Sequence, residues 1–284
     1  SGTNWTYIGE ASSGAHNTTQ TWKWTPVPDD ISANTLVKVE TTTNNASIEI
    51  NDTSNATFKI KGQVTVVEPD GTEVWYYNDN RTIRWNAIGT VTPVKVEYST
   101  DNGGNWSIIN NTYTGIEAAN NYTWFVADRN SEQCVVRVSD NRTAFTSEVT
   151  DTSNATFSIR PQINITQPVL GANVFASSNT TPIRWTYTGS TIQKVNVDYS
   201  TNDGINWTNI ETNVSVANGS TYIWPLVPTL TTTTGRIRVY DISNANVTKT
   251  SQRFNIVGSL RLIAPNGAEN WPVGTSQYLV WDAY

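Results

Sequence analysis

The sequence contains one cysteine, one histidine and no methionine in 284 residues. Cys134 alone cannot form an internal disulfide, so stability must come from packed apolar surface. With His16 as the only imidazole, Ser-His-Asp, Cys-His and histidine-based zinc sites lack their parts. His16 sits in a Gly/Asn/Thr-rich stretch and reads as a solvated loop residue. Charged residues make up 15% and the formal net charge is −6. Lys and Arg are spread without a basic run, which argues against nucleic acid as a partner. No apolar stretch approaches the ~20 residues of a membrane helix, so no membrane insertion is expected within this segment. No signal-peptide pattern is visible at Ser1, so the segment reads as mature or internal.

What is abundant is repetition. Trp5, Trp106 and Trp207 recur every 101 residues, and Trp24, Trp124 and Trp224 every 100. Trp85, Trp185 and Trp281 follow the same rhythm, as do Trp75 and Trp271 with Phe175 between. The string DTSNATF occurs at 52–58 and again at 151–157. A period near 100 residues is the size of one small domain. These tryptophans are expected in the core. The remaining one, Trp22, aligns with Tyr122 and Tyr222.

Within 62–160 the chain reads as seven short β-branched and aromatic runs between turns, with period-two alternation. Val64–Glu68, Thr82–Trp85, Val94–Tyr98, Trp106–Ile109, Tyr122–Val126, a run around Val136–Val138, and Phe157–Ile159 are the expected strands. No stretch of ten residues shows helical periodicity. The expected fold class is all-β: tandem antiparallel Ig-like β-sandwiches of about 100 residues each. The expected division is a C-terminal part of a sandwich over 1–61, complete sandwiches over 62–160 and 161–258, and the first strands of another over 259–284. Joints of two or three residues predict a stiff rod.

The order P-x-G-x-x-W, I-R-W, V-x-Y-S-T-x-x-G-x-x-W, Y-x-W, V-R-V-x-D, F-x-I resembles the Ig-like or fibronectin type III-like repeats of bacterial and archaeal surface proteins. It is also similar to the Ser-Thr-rich domain of fungal cell-wall proteins. The resemblance spans the whole chain and implies an extracellular structural or adhesive module, although fold alone does not establish function. Ser99-x-Asp101-x-Gly103-x-Asn105-Trp106 resembles the Asp-box of sialidases. A sialidase would need blades of ~50 residues and clustered arginines, whereas here the period is twice that and Arg84, Arg137, Arg184 and Arg238 recur at outward strand positions. The box recurs at 199–208 with Asn202 in place of Asp101, so it reads as a hairpin turn needing positive φ. Asp101, Asn102, Asn202 and Asp203 offer too few carboxylates to close a calcium site.

The two partial repeats are complementary. Residues 1–60 lack the first strands of a sandwich and 260–284 lack the rest. Together they rebuild a unit except for the stretch matching 89–101. Half a core and open sheet edges invite pairing. Self-association is therefore expected through an inter-copy junction at Ser1, Gly2, Leu260, Leu262, Leu279, Trp281 and Tyr284. A window cut from a longer tandem array would place its split domains in the same way.

Asn-x-Ser/Thr occurs at Asn4, Asn17, Asn45, Asn51, Asn55, Asn80, Asn105, Asn110, Asn121, Asn141, Asn154, Asn164, Asn179, Asn206, Asn213, Asn218 and Asn246, 17 sites in all. Random pairing of these residue types gives about 8. The excess predicts N-linked glycans and an extracellular, cell-surface location. No catalytic residue, metal site or cofactor is expected. Cys134 reads as a small core residue, Asp140 and Asp241 as turn caps, and no carboxylate pair stands out for glycoside chemistry. Tyr76 and Tyr77 do not recur and are the better aromatic candidates for contacts. The sequence thus predicts a non-enzymatic glycoprotein that builds a surface filament, sheath or S-layer-like coat. The alternative is the stalk of a cell-surface adhesin or carbohydrate-binding protein.

Overall fold

The computed structural model describes residues 4–12, 18–41, 50–114 and 120–283. Among these the chain is all-β, apart from one 3₁₀ turn at Val216–Asn218. It divides into two compact units. One comprises Ser1–Glu73, Thr82–Trp124 and Gln133–Phe157, the other Val74–Arg81, Phe125–Glu132 and Ser158–Tyr284. This division passes through the repeat expected over 62–160 rather than along its ends.

Residues 161–258 form a two-layer sandwich. One sheet has the order Ile163–Gln167, Thr181–Tyr187, Thr221–Trp224. The other runs Asn173–Phe175, Phe254–Val257, Thr232–Asp241, Lys194–Ser200, Thr208–Ser215, with Thr248–Thr250 also on the Thr232–Asp241 strand. The cause is legible residue by residue. In Thr232–Asp241 every second side chain from Gly235 onward is buried, so Ile237 and Val239 face inward and Arg236, Arg238 and Tyr240 outward. Trp185, Trp224, Phe254, Ile183, Val195 and Val197 complete the core. Each buried tryptophan removes roughly 150–250 Å² from water, a gross stabilisation of about 4–6 kcal/mol at ~25 cal/mol per Å².

The same strand order recurs one repeat earlier: Gln63–Glu68, Asn80–Ile88, Asn121–Phe125 in one sheet, and Val74–Tyr76, Phe157–Arg160, Ser131–Asp140, Val94–Ser99, Ser107–Tyr113 with Thr150–Thr152 in the other. Identical order in consecutive repeats makes the architecture tandem β-sandwiches. Each repeat has nine strands rather than seven. Val74–Tyr76 and Thr150–Thr152 span only three residues, too few to show alternation. Pairing is antiparallel except where Val74–Tyr76 and Asn173–Phe175 run parallel to the last strand of their repeat. The register pairs Trp75 with Ile159 and Val174 with Ile256. Val174, not Phe175, therefore holds the Trp75 position, and Phe175 faces solvent.

The partial repeats keep the same registers. Lys38–Glu40 pairs with Asn51–Thr53 as Arg137–Ser139 pairs with Thr150–Thr152. The Leu260–Ala264 and Val280–Ala283 strands pair Leu262 with Trp281, as Val66 pairs with Trp85 and Ile165 with Trp185.

Burial separates the repeated tryptophans into three groups. Trp75, Trp85, Trp124, Trp185 and Trp224 are buried. Trp24, Trp106 and Trp207 are half-buried, because Trp106 and Trp207 pack on the outer face of their sheets beneath arginines. Trp5, Trp271 and Trp281 are exposed: Trp5 holds the outer-face position of Trp106 and Trp207, with Lys38 over its ring, and Trp271 and Trp281 stand on segments with no opposing sheet among the described residues.

Candidate functional site

The two box loops use one hydrogen-bond scheme. Ser99 Oγ donates to Asp101 Oδ1 at 2.6 Å and accepts from the Gly103 amide at 2.9 Å. Asp101 Oδ1 accepts from the Asn105 amide at 2.8 Å. In the next repeat Ser200 Oγ donates to Asn202 Oδ1 at 2.9 Å and accepts from Gly204, while Asn202 Oδ1 accepts from the Asn206 amide at 2.9 Å. A carbonyl oxygen replaces a carboxylate oxygen in the bonds the two boxes share, while the second oxygen of Asp101 accepts one more, from Asn105 Nδ2 at 2.6 Å; in both boxes the side chain acts as an acceptor. The Ser99 hydroxyl, then the Asn105 amide, hold the Asp101 carboxyl down at about 2. Asn102 and Gly103 have φ of 54° and 91°, Asp203 and Gly204 61° and 88°. That left-handed pair explains the Asn-Gly and Asp-Gly sequences.

Beside each box lies a ladder of three side chains. The Arg137 guanidinium stacks 4.0 Å from the Trp106 ring centroid and binds Glu97 through Nε at 3.1 Å and Nη2 at 2.8 Å. Arg238 stacks at 4.6 Å on Trp207 and binds the buried Asp198 through Nε at 3.2 Å. In the first, partial repeat Lys38 Nζ lies 5.2 Å over the Trp5 ring. Among the described residues no strand equivalent to Val94–Ser99 lies beside it. Lys38 pairs with Glu40 instead.

Beside Lys38 there is a cavity of about 260 Å³. Its lining includes Trp5, Ile8, Trp24, Leu36, Lys38 and Ile60. The Lys38–Glu40 strand pairs on one edge only, and among the described residues no strand covers the other. The hairpin at 260–283 is open in the complementary sense. Leu279 is 60% and Trp281 58% exposed, whereas Ile83 and Trp85 at the same positions are 0% and 2% exposed. Leu260 and Leu262 are exposed as well. Of the expected junction residues, Ser1, Gly2 and Tyr284 lie outside the described residues, and Leu260, Leu262, Leu279 and Trp281 share the one hairpin.

A second concavity, about 720 Å³, lies on the outer face of the 161–258 sandwich and is lined by Trp207, Arg236, Arg238, Tyr240, Asp203 and Thr248 among others. Arg236 is paired with Asp203 and Arg238 with Asp198. Asp203 is held well below the usual carboxylate range by hydrogen bonds from Arg253 and Arg236.

Among the sequon residues whose side chains are described, Asn4, Asn51, Asn55, Asn80, Asn105, Asn154, Asn164, Asn179, Asn206, Asn213 and Asn246 are exposed. Asn110, Asn121 and Asn141 are half-buried. Asn17, Asn45 and the Asn218 side chain lie outside the described set, as does His16. The Nδ2 groups of Asn105 and Asn154 donate to Asp101 and Asp70 at 2.6 and 3.1 Å. Cys134 is a buried thiol in no disulfide. Among the described residues no group of three or more His, Cys, Asp or Glu is placed to hold a metal ion. Tyr76 and Tyr77 are half-buried.

One set of contacts was not anticipated. The Asp29 carboxylate accepts from the Thr90 amide at 2.8 Å and its hydroxyl at 2.6 Å. One repeat later Asp128 Oδ2 accepts from the Ser190 amide at 2.7 Å. Gly189 at φ 81° lets the carboxylate approach, since a Cβ there would stand 2.6 Å from Asp128 Oδ1. Each contact bridges successive sequence repeats. The 99-residue spacing of Asp29 and Asp128 was the available signal. In the same region Arg160 grips Glu132 through Nε at 2.8 Å and Nη2 at 2.7 Å, lowering the Glu132 carboxyl to about 2.

No family model and no curated protein matches the chain. Solved structures resemble it at the level of fold. The fibronectin(III)-like modules of Clostridium thermocellum CbhA are 20% identical, covering 68% of this chain and 93% of theirs, with a TM-score of 0.22. A chimeric titin Z1Z2 tandem is 18% identical over 69% of this chain and 95% of its own, TM-score 0.24. Titin domains A168–A170 are 16% identical over 80% and 75%, TM-score 0.27. The fold assignment rests on the strand order and registers of the chain itself.

Proposed function

We propose that this chain is a structural extracellular glycoprotein whose tandem β-sandwiches build a surface filament, sheath or S-layer-like assembly, with the open half-sandwiches completed between successive copies. The supporting observation is the contrast between equivalent positions. Trp281 and Leu279 are exposed where Trp85 and Ile83 are buried, and the face around Trp5 and Trp24 is open. Exposed apolar area of this kind marks an interface, and unpaired strand edges supply backbone hydrogen bonds to a strand from outside. The sequons add a glycan shell, because eleven of them present an exposed Asn. The chain has no enzymatic role in this reading. Sedimentation equilibrium tests the assembly: mass should rise with concentration, and Leu279→Asp/Trp281→Asp should hold the chain monomeric. A monomer at every concentration would remove the proposal.

A second reading, an adhesin stalk or carbohydrate-binding module, draws on the groove of Trp207, Arg238 and Tyr240. A glycan array distinguishes it: saccharide binding that disappears in Trp207→Ala favours this reading over a purely mechanical role.

A further inference from the structure

We infer that Asp29 and Asp128 are positioning residues that lock one repeat on the next, each by clasping a Gly-Thr or Gly-Ser turn of the following repeat. The lock acts within one chain and stands whether or not copies assemble. Neighbouring domains move relative to one another unless a specific interface holds them. A short joint limits that motion, and the clasps supply the interface.

The first clasp is Asp29 on Thr90. The carboxylate accepts from the Thr90 amide at 2.8 Å and from its hydroxyl at 2.6 Å. The second is Asp128 on Ser190, where Oδ2 accepts from the amide at 2.7 Å. The receiving turns share one geometry. Gly89 and Gly189 have φ of 78° and 81°, a backbone that favours glycine. A Cβ on Gly89 would stand 2.8 Å from Asp29 Oδ1, and one on Gly189 2.6 Å from Asp128 Oδ1. Glycine is thus required twice, by the backbone and by the approach of the acid. Each turn leads into a buried residue, Val91 or Ile192, which anchors it in its own core.

One contact is a pivot, and a fixed orientation needs a second contact away from the first. Both joints have one. At the first joint Lys59 and Lys61 pair with Glu148, and Lys59 Nζ donates to the Ala144 carbonyl at 3.2 Å. At the second, Asn130 Nδ2 donates to Asp241 Oδ2 at 2.8 Å, and Asn244 Nδ2 to Glu132 Oε1 at 2.7 Å. Glu148, Asp241 and Asn244 lie at or beyond the ends of Ser131–Asp140 and Thr232–Asp241. The clasped turns follow Asn80–Ile88 and Thr181–Tyr187, which belong to the other sheet. The two contacts therefore reach both sheets of the following repeat.

Asp128 also carries a cost that stability does not explain. Its Oδ1 is shielded from water and has no hydrogen-bond partner among the described residues. A shielded polar atom without a partner is destabilising. An acid kept under that penalty serves position rather than stability.

Pulsed electron–electron distance measurements on the full chain test the lock. Spin labels are carried by Asn86→Cys and Thr186→Cys, exposed and equivalent by register in the two complete repeats, in a Cys134→Ala background. The labelled parent should give one narrow distance distribution. Asp128→Ala with Asn130→Ala should broaden it at least ~2-fold, the freedom of domains without a fixed interface. Gly189→Ala, acting from the other side of the same contact, should broaden it as well. Asp128→Asn keeps an acceptor oxygen and should leave the width near the parent value. Thermal denaturation of the same chains should change little, which separates lost orientation from lost folding. A parent distribution that is already broad, or a width unchanged in both the double variant and Gly189→Ala, would overturn the lock. Broadening that appears only with a matching fall in melting temperature would be unfolding of a repeat and would overturn it too.

Discussion

The guanidinium of Arg137 lies 4.0 Å from the ring centroid of Trp106 while its nitrogens hold Glu97, and Arg238 repeats this with Trp207 and Asp198. Both acids are nearly buried, so removal of the cation leaves a charge with little water. Glu97 keeps a second cation, Lys95 at 3.1 Å. Asp198 keeps only the Asn209 amide at 3.0 Å among its described partners. Arg238→Ala should therefore cost about 3–5 kcal/mol and Arg137→Ala about 2–3 kcal/mol. Chemical denaturation should rank the variants in that order, with Arg→Lys at either site milder, since Lys38 already serves over Trp5.

Asp101→Asn should cost less than loss of the loop serine, because Asn202 keeps the serine and backbone-amide bonds in the next repeat and only the Asn105 Nδ2 bond to the second carboxylate oxygen is given up. Ser99→Ala and Ser200→Ala should each lose about 1–2 kcal/mol, since each hydroxyl satisfies several loop partners. Thermal denaturation of the four proteins checks the contrast. A large loss in Asp101→Asn would mean the carboxylate has a task beyond accepting hydrogen bonds.

The same pair of loops gives a pH signature. The folded Asp101 pKa, about 2, lies below the ordinary carboxylate value near ~3.9. A depressed pKa contributes stability that is present above the unfolded value and lost as pH falls through the folded one. The Asn105 amide resonance should thus shift as pH falls below about 3, with its midpoint near the folded pKa of about 2, while the Asn206 amide, bonded to the uncharged Asn202 side chain, should stay still. Two-dimensional NMR reads both in one titration.

The glycan reading has its own measurement. Intact mass of material from its natural source should fall on enzymatic or chemical deglycosylation. Peptide mapping should place occupancy at exposed positions such as Asn55, Asn206 and Asn246 before half-buried Asn110, Asn121 and Asn141. An unchanged mass would remove the glycan shell from the account.

Much of this was legible before the structure, and for physical reasons. Period-two alternation in V-K-V-E-Y-S and R-I-R-V-Y-D fixes which side chains face inward. The Asp-Asn-Gly and Asn-Asp-Gly turns require left-handed backbone. The recurring tryptophans reveal the repeat, but recurrence does not distinguish the inner face from the outer. Trp106 and Trp207 proved to be platforms for arginines, because the residue after a box turn can face either side. The three-residue strands were invisible to pattern, and Phe175 was misplaced by one residue because its neighbour Val174 is the smaller apolar group. The Asp29–Thr90 and Asp128–Ser190 contacts join residues about 60 positions apart, and pairing at that distance leaves no local signature.

Completion between copies is tested most directly by trapping it. In the two complete repeats Ser158 pairs with Val74 and Asn255 with Asn173 in parallel strands. The equivalent residues at the open faces are Lys59 and Asn270. A Lys59→Cys/Asn270→Cys chain, in which Cys134 is buried, should form a ladder of covalent oligomers under mild oxidation, and the Lys59→Cys/Asn266→Cys control should not. A double variant that stays monomeric, or a control that cross-links equally, would contradict completion of one copy by the next.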